Sequence, residues 1–183
     1  MLRPAKLYED QVVELQRSIW YDEKYKYWNS SMSYDSIEIK DSTYNEHQFV
    51  SVNSDDEVIG YISYSVSRET DNVHTLGVIN FSNDSMTFGR DLGQAVRDIF
   101  EKYHFRKLSF YVVCGNPAEK SYDKMVARYG GRIVGTQIDE VRLVDGKYYN
   151  VKWYEILGED YFKSEGYNTI LSRKLNKLKK GKK

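Results

Sequence analysis

The chain has 183 residues, 40% hydrophobic and 30% charged, with a formal net charge of zero. That balance excludes a disordered chain, and the length suits one domain, residues 1–183, with a proper core. The neutrality is uneven: residues 172–183 (SRKLNKLKKGKK) carry seven Lys or Arg and no acid, so the other 171 residues hold 20 basic and 27 acidic groups, a net of −7.

The basic tail reads as a solvated, frayed end, with contact to nucleic acid or an acidic partner as the alternative. Cys114 is the single cysteine, which allows no internal disulfide and fits a reducing compartment. The start, MLRPAKLYEDQ, has no apolar signal core, and no apolar run approaches membrane-spanning length. A cytoplasmic protein with no membrane partner is expected.

The first element is a helix, since Val12, Leu15 and Ile19 recur at helical spacing. The aromatics Trp20, Tyr21, Tyr25, Tyr27 and Trp28 suggest a second helix, and Asn29 to Asn45 a polar loop. The period then changes to two. His47–Val52 and Val58–Val66 read as an antiparallel hairpin around Asp55-Asp56, and Asn72–Phe81 as the next strand, with Gly77 a bulge or a point of close approach. In FGRDLGQAV (88–96), glycines precede an apolar pattern, Leu92, Ala95, Val96, Ile99, Phe100 and Tyr103, that marks an amphipathic helix.

Lys107–Val113 is a fourth strand. Asn116-Pro117-Ala118-Glu119 then opens a helix, with Asn116 as cap, Pro117 in the first position and Glu119 as a capping-box acid; Gly130-Gly131 ends it. Strands near Arg132–Val144 and Tyr148–Leu157, joined by Asp145-Gly146, and a helix from about Glu159 complete the order α-α-β-β-β-α-β-α-β-β-α.

Three stretches carry chemical signals. Gly89 and Gly93 let a pyrophosphate approach free amides at a helix start, although a plain turn accounts for them equally well. Cys114 to Lys124 (CGNPAEKSYDK) combines an Asn-Pro helix start with a tyrosine. The third is GGRIVGT with VDGKYYNVKWYEIL downstream. Three dispersed histidines and one cysteine give no metal-ligand spacing, so no metal is expected.

On these stretches the chain resembles the GNAT (GCN5-related) N-acetyltransferases over roughly residues 47–161. The resemblance implies a mixed α/β (α+β) fold with a mostly antiparallel sheet of six or seven strands flanked by helices. It implies acetyl-CoA as cosubstrate and an amine-bearing small molecule, peptide or protein as acceptor. The family's loop, Q/R-x-x-G-x-G/A, fits in two registers. One starts at Arg90 and runs to Ala95; the other sets Phe88, Asp91 and Gly93 on the motif positions and keeps Leu92, Ala95 and Val96 on the buried stripe.

The cofactor residues so implied are Ile79, Phe81, Phe88, Gly89, Arg90, Asp91, Leu92, Gly93, Gln94 and Asn116, with an oxyanion donor on the strand at Ile79–Phe81. Asp91 stands where the family has glycine, and a carboxylate there repels phosphate unless it points away. Tyr122 is the implied proton donor to the departing thiolate, with core packing as the alternative. His74, Glu46 and His47 are the available bases. A degenerate acyl-CoA-binding module and an adaptor acting through the basic tail stay open as alternatives, as does a homodimer. Acceptor walls are expected in Trp20–Tyr44 and near Tyr148.

Overall fold

A computed structural model describes residues 1–28, 36–82 and 85–180. Seven strands form one sheet: β1 (Leu2–Pro4), β2 (Glu46–Val52), β3 (Val58–Ser67), β4 (Asn72–Asn80), β5 (Lys107–Val113), β6 (Arg132–Arg142) and β7 (Tyr148–Leu157). The helices are α1 (Glu9–Ile19), α2 (Ser85–Glu101), α3 (Glu119–Arg128), α4 (Gly158–Lys163) and α5 (Glu165–Lys180). The sheet order is β1-β2-β3-β4-β5-β7-β6, and only the β4–β5 pair is parallel. This is the mostly antiparallel, helix-flanked sheet expected above.

Alternation along the strands sorts the core into layers. On one face Val50, Tyr61 and Ile79 pack under α1 through Val12. On the other, Tyr64, Leu108, Phe110 and Tyr154 meet Val96, Ile99 and Phe100 of α2 and Tyr122 and Val126 of α3. The α2 stripe is the one read from the sequence.

Several boundaries differ from the sequence reading. α2 is already helical at Ser85, so Gly89 and Gly93 lie inside it. The Trp20–Trp28 segment holds only a 3-10 turn, Glu23–Tyr25, capped by Asp22, which accepts from the Lys24 amide at 2.9 Å. Residues 29–35 of the expected polar loop lie outside the described residues. The final helix is two helices, broken at the extended Ser164. The tail is helical through Lys180, and its residues 171–179 are exposed. No described helix is long and apolar enough to cross a membrane.

His47 sits on the α2 face of β2, buried against Tyr64, Phe49, Tyr103 and Phe105, with Nδ1 2.9 Å from the Tyr64 hydroxyl. Burial, helped by the Arg68 and Lys102 cations, pushes its pKa below the usual 6.5. In the pH window between the unfolded and folded values the unfolded chain binds the extra proton, so this contribution to stability is present above about pH 6.5 and is lost as pH falls. Thermal melts at stepped pH are expected to show melting temperature dropping below that point. His47→Asn, which cannot titrate, is expected to flatten that part of the slope.

Candidate active site

β4 is the element that makes the site. Its register against β3 slips between Ser65↔His74 and Ser63↔Gly77, where β4 carries one extra residue. Thr75 takes the strain, with φ of +59°, in the left-handed region that a β-branched residue rarely adopts. The insertion flips the alternation, so Val73, Leu76 and Val78 all face the α2 layer. It also ends the sheet locally: β4 and β5 pair only over Asn72↔Lys107, Val73↔Leu108 and His74↔Ser109. Beyond that point the two strands diverge.

A cleft of about 700 Å³ opens at the divergence. Its walls are Leu76–Asn80 of β4, Tyr111–Val113 of β5, Phe88, Gly89 and Leu92 of α2, and the Asn116–Tyr122 turn and helix start. Tyr25, Tyr27 and Trp28 close one end.

The backbone edges along the gap are polar. The Phe81 amide donates to the Ile59 carbonyl at 2.9 Å. With the register, this fixes the ladder's alternation: the amides of Gly77 and Ile79 point to β3, and those of Val78 and Asn80 point into the gap. On β5 the Cys114 amide donates to the Asn150 carbonyl at 2.8 Å, so the Tyr111 and Val113 amides turn to the gap from the other side.

The expected site residues divide. Ile79, Phe88, Gly89, Leu92, Asn116 and Tyr122 line the cleft; Phe81, Arg90, Asp91, Gly93 and Gln94 do not. The amides of Gly89 to Gln94, expected to be free, are taken up by carbonyls one turn back within α2. The amides of Ile79 and Phe81 are likewise spent on β3, which leaves Val78 and Asn80 as the outward donors.

Phe88 is 6% exposed and packs on Gly60, where an added Cβ would lie 2.2 Å from its ring. Asp91 is buried, accepts from Ser51 Oγ at 2.7 Å and lies 2.8 Å from the Met1 amine. It therefore points away from the cleft and ties α2 to β2. Arg90 and Gln94 are exposed on the outer surface of α2.

Asn116 accepts from the Ala118 amide at 2.9 Å and forms a turn ahead of α3, which begins two residues later than expected. Glu119 reaches back to the Gly115 amide at 2.9 Å, much as a capping-box acid does. Gly115 itself has φ of +88°, the positive value that turns the chain out of β5.

The position of Tyr122 is compatible with both roles weighed for it. Its ring packs edge-on against Phe110, with centroids 5.4 Å apart. No described group bonds its hydroxyl, and the residue borders the cleft. Burial pushes its pKa well above the ordinary tyrosine value, so it stays protonated and able to donate.

Of the three bases, His74 is exposed, before the divergence, bonded to Thr75 Oγ1 at 3.1 Å, and His47 is buried among Tyr64, Tyr103 and Phe105, off the cleft. Glu46 lines the cleft. Desolvation by burial raises its pKa against the lowering pull of Lys40 and Gln48. Cys114 is half-buried, and burial with Glu119 nearby raises its thiol pKa, which marks it as unreactive. Among the described residues no group of His, Cys, Asp and Glu is placed to hold a metal ion.

Glu46, Ser63 and Trp28 also line a second cavity of about 350 Å³, bounded by Ile37, Glu38, Gln48 and Tyr61. Gln48 Nε2 joins Glu46 at 3.2 Å, Tyr61 at 2.9 Å and the Glu38 carbonyl at 2.8 Å. Gly77 sits at the junction, where an added Cβ would meet Ser63 Oγ at 2.8 Å and Trp28 at 3.3 Å. The aromatic wall is fastened from outside. Lys26 reaches Asp145 at 3.1 Å and the Tyr149 hydroxyl at 3.2 Å, and that hydroxyl donates to Asp145 at 2.6 Å. Tyr27 stands edge-on to Tyr149, centroids 6.0 Å apart. Tyr148, by contrast, is 62% exposed.

No protein-family model matches the chain, and no curated protein matches it by sequence. Solved structures do match. A spermidine N-acetyltransferase from Vibrio cholerae, in complex with CoA and spermine, aligns over 88% of this chain and 97% of its own, at 19% identity and a TM-score of 0.63. A spermidine/spermine N-acetyltransferase from the same organism, in complex with manganese ions, aligns over 66% and 70%, at 18% identity and a TM-score of 0.56. A structure described as a probable acetyltransferase aligns over 64% and 65%, at 14% identity and a TM-score of 0.54. The chain thus shares the fold of these N-acetyltransferases.

Proposed function

We propose that this protein is an acetyl-CoA-dependent N-acetyltransferase acting on a primary amine. The observation that carries the reading is the gap between β4 and β5, edged on both sides by outward-turned backbone amides. An extended amide-bearing arm can hydrogen-bond there as a missing strand would. The N-terminal end of α2 carries the partial positive charge of a helix start, a favourable field for a diphosphate at the mouth. Acetyl-CoA supplies the thioester; the chain's residues position it and move protons.

Glu46 accepts the proton that the amine must lose before attack. Burial raises its pKa, which makes it a stronger base than an unburied glutamate. The Val78 and Asn80 amides are the donors available to a carbonyl oxygen in the gap. Tyr122 gives its proton to the departing sulfur. The acceptor occupies the second cavity and meets the thioester where Glu46, Ser63 and Trp28 join the two spaces. The structural relatives that carry spermidine in their names act on amines, which supports the class. A cytoplasmic setting, with a single cysteine, fits the cosubstrate.

Calorimetry with acetyl-CoA and release of CoA thiol over an amine panel test the proposal together. Binding without release would make the chain a ligand-binding module; no binding would remove the transferase reading. Tyr122→Phe is expected to lower turnover by about 10- to 100-fold with little change in acetyl-CoA affinity. Equal rates in stopped assays would return Tyr122 to packing alone.

A further inference from the structure

α5 changes character along its length. Its first turns are seated on the body. The Ser164 hydroxyl accepts from the Tyr167 amide at 3.2 Å, an added Cβ at Gly166 would lie 2.6 Å from the Tyr129 ring, and Tyr167 and Ile170 pack against the main core. One further tie follows, from Lys174 Nζ to Glu101 at 2.7 Å. Residues 171–179 are all exposed. Tertiary packing supports most helices, but the side chains of this stretch are not chosen by the core.

Their pattern is two-sided. At about 100° per residue, Leu171, Leu175 and Leu178 fall within an arc of about 60°, and they are 39, 49 and 65% exposed. Arg173 and Lys177 stand on the opposite side, and Lys179 stands beside the leucine stripe. Lys174 is the one cation of this stretch held in an ion pair among the described residues, and residues 172–183 contain no acid. Arg173, Lys177 and Lys179 are therefore open to an anionic partner.

We propose that the outer part of α5 lies on an anionic lipid surface, with its leucines in the acyl boundary and its cations among the headgroups. The expectation of no membrane partner rests on the lack of a long apolar run, and a helix lying in the interface needs none. Charge and apolarity together choose this occupant. A nucleic acid would engage the cations and leave the leucines in water. An anionic bilayer answers both sides of the helix at once. With the leucines submerged, Lys179 falls at headgroup level, and Arg173 and Lys177 reach it along their apolar stems. The projection of the helix matters as well, because residues 1–171 carry a net charge of −7, which an anionic surface repels. Ten helical residues span about 15 Å, more than the screening length of about 8 Å at physiological salt, so the acidic body stands off while its helix makes contact.

The test is co-sedimentation of the full chain with vesicles of phosphatidylcholine, alone or with about a third phosphatidylserine, at low and at physiological salt. Binding to the anionic vesicles, weakened by salt and absent on phosphatidylcholine alone, is expected. Leu175→Ser with Leu178→Ser is expected to weaken it at least about 10-fold, and Lys177→Gln with Lys179→Gln about 10- to 30-fold. Both pairs are expected to keep the melting temperature and the rate of CoA release, because the four side chains are exposed and none lines the cleft. No binding to anionic vesicles at low salt overturns the inference. So does vesicle binding that survives the leucine pair, since charge alone would then carry it. Capture by single-stranded RNA without capture by vesicles overturns it too, and would make α5 a nucleic-acid contact.

Discussion

Gly89→Glu is expected to weaken acetyl-CoA binding by about 10- to 100-fold, while Gly93→Glu leaves it within about twofold. Both glycines lie on α2, four residues apart, and a reading of the sequence gives them the same task. The structure separates them. Gly89 lines the cleft, and an added Cβ there meets nothing within 4 Å. A glutamate at that position folds without collision and sets its carboxylate at the mouth, beside the proposed diphosphate. Gly93 is off the cleft; its added Cβ would approach only Arg97 Nη1, at 3.3 Å, the free end of a flexible side chain. Helix propensity favours both substitutions slightly, since glycine costs about 1 kcal/mol inside a helix. Titration calorimetry on the two variants checks the pair. Equal losses would place the diphosphate along the length of α2 and remove the cleft mouth from the site.

Glu46→Gln is expected to lower turnover by about 100- to 1,000-fold, with acetyl-CoA affinity kept. The carboxylate stands where two cavities join, and glutamine keeps its size and its contact with Gln48 while losing its basicity. The sign of the pH effect follows from the direction of its shift. Burial raises the pKa, so in the parent protein the rate climbs with pH as Glu46 ionises, at a higher pH than for an unburied glutamate. The variant has no such limb. Initial rates of CoA release across acid to neutral pH separate the two profiles. A variant that keeps the acidic limb would assign the proton transfer to another group.

Much of the fold was legible in the sequence because period and punctuation agreed. β5 alternates buried and half-buried positions, β3 is a nearly continuous buried run, and Leu92, Ala95, Val96, Ile99 and Phe100 repeat as one helical stripe. The start of α2 was not legible. Glycine at 89 and 93 argues against helix locally, but Phe88 is seated over Gly60, and packing from a distant strand outweighs propensity. Asp91 was read as a threat to phosphate because its partner, Ser51, lies forty residues away and no local rule pairs them. The Asn-Pro turn was visible because its geometry is local, whereas the role open to Tyr122 came from the family resemblance alone. The divergence of β4 left a faint trace, since Val73 and Leu76 face one layer at a spacing of three where a regular strand allows two. Reading that break as an inserted residue would have placed the gap; reading Gly77 as the bulge missed it by two positions. The sequence pointed to the second cavity only through the Trp20–Tyr44 stretch, part of which lines it; its shape was not legible because Trp28, Glu46 and Tyr61 come together from three elements.

The extra residue at Thr75 makes the whole cavity a matter of counting. Delete one residue there and β4 regains an even phase, its hydrogen-bonding groups fall level with those of β5 past Ser109, and the two strands can zip shut along their full lengths. Such a chain would keep its layers and lose its opening. In this chain the gap coincides with a single-residue insertion, held in place against the steric preference of the threonine that carries it.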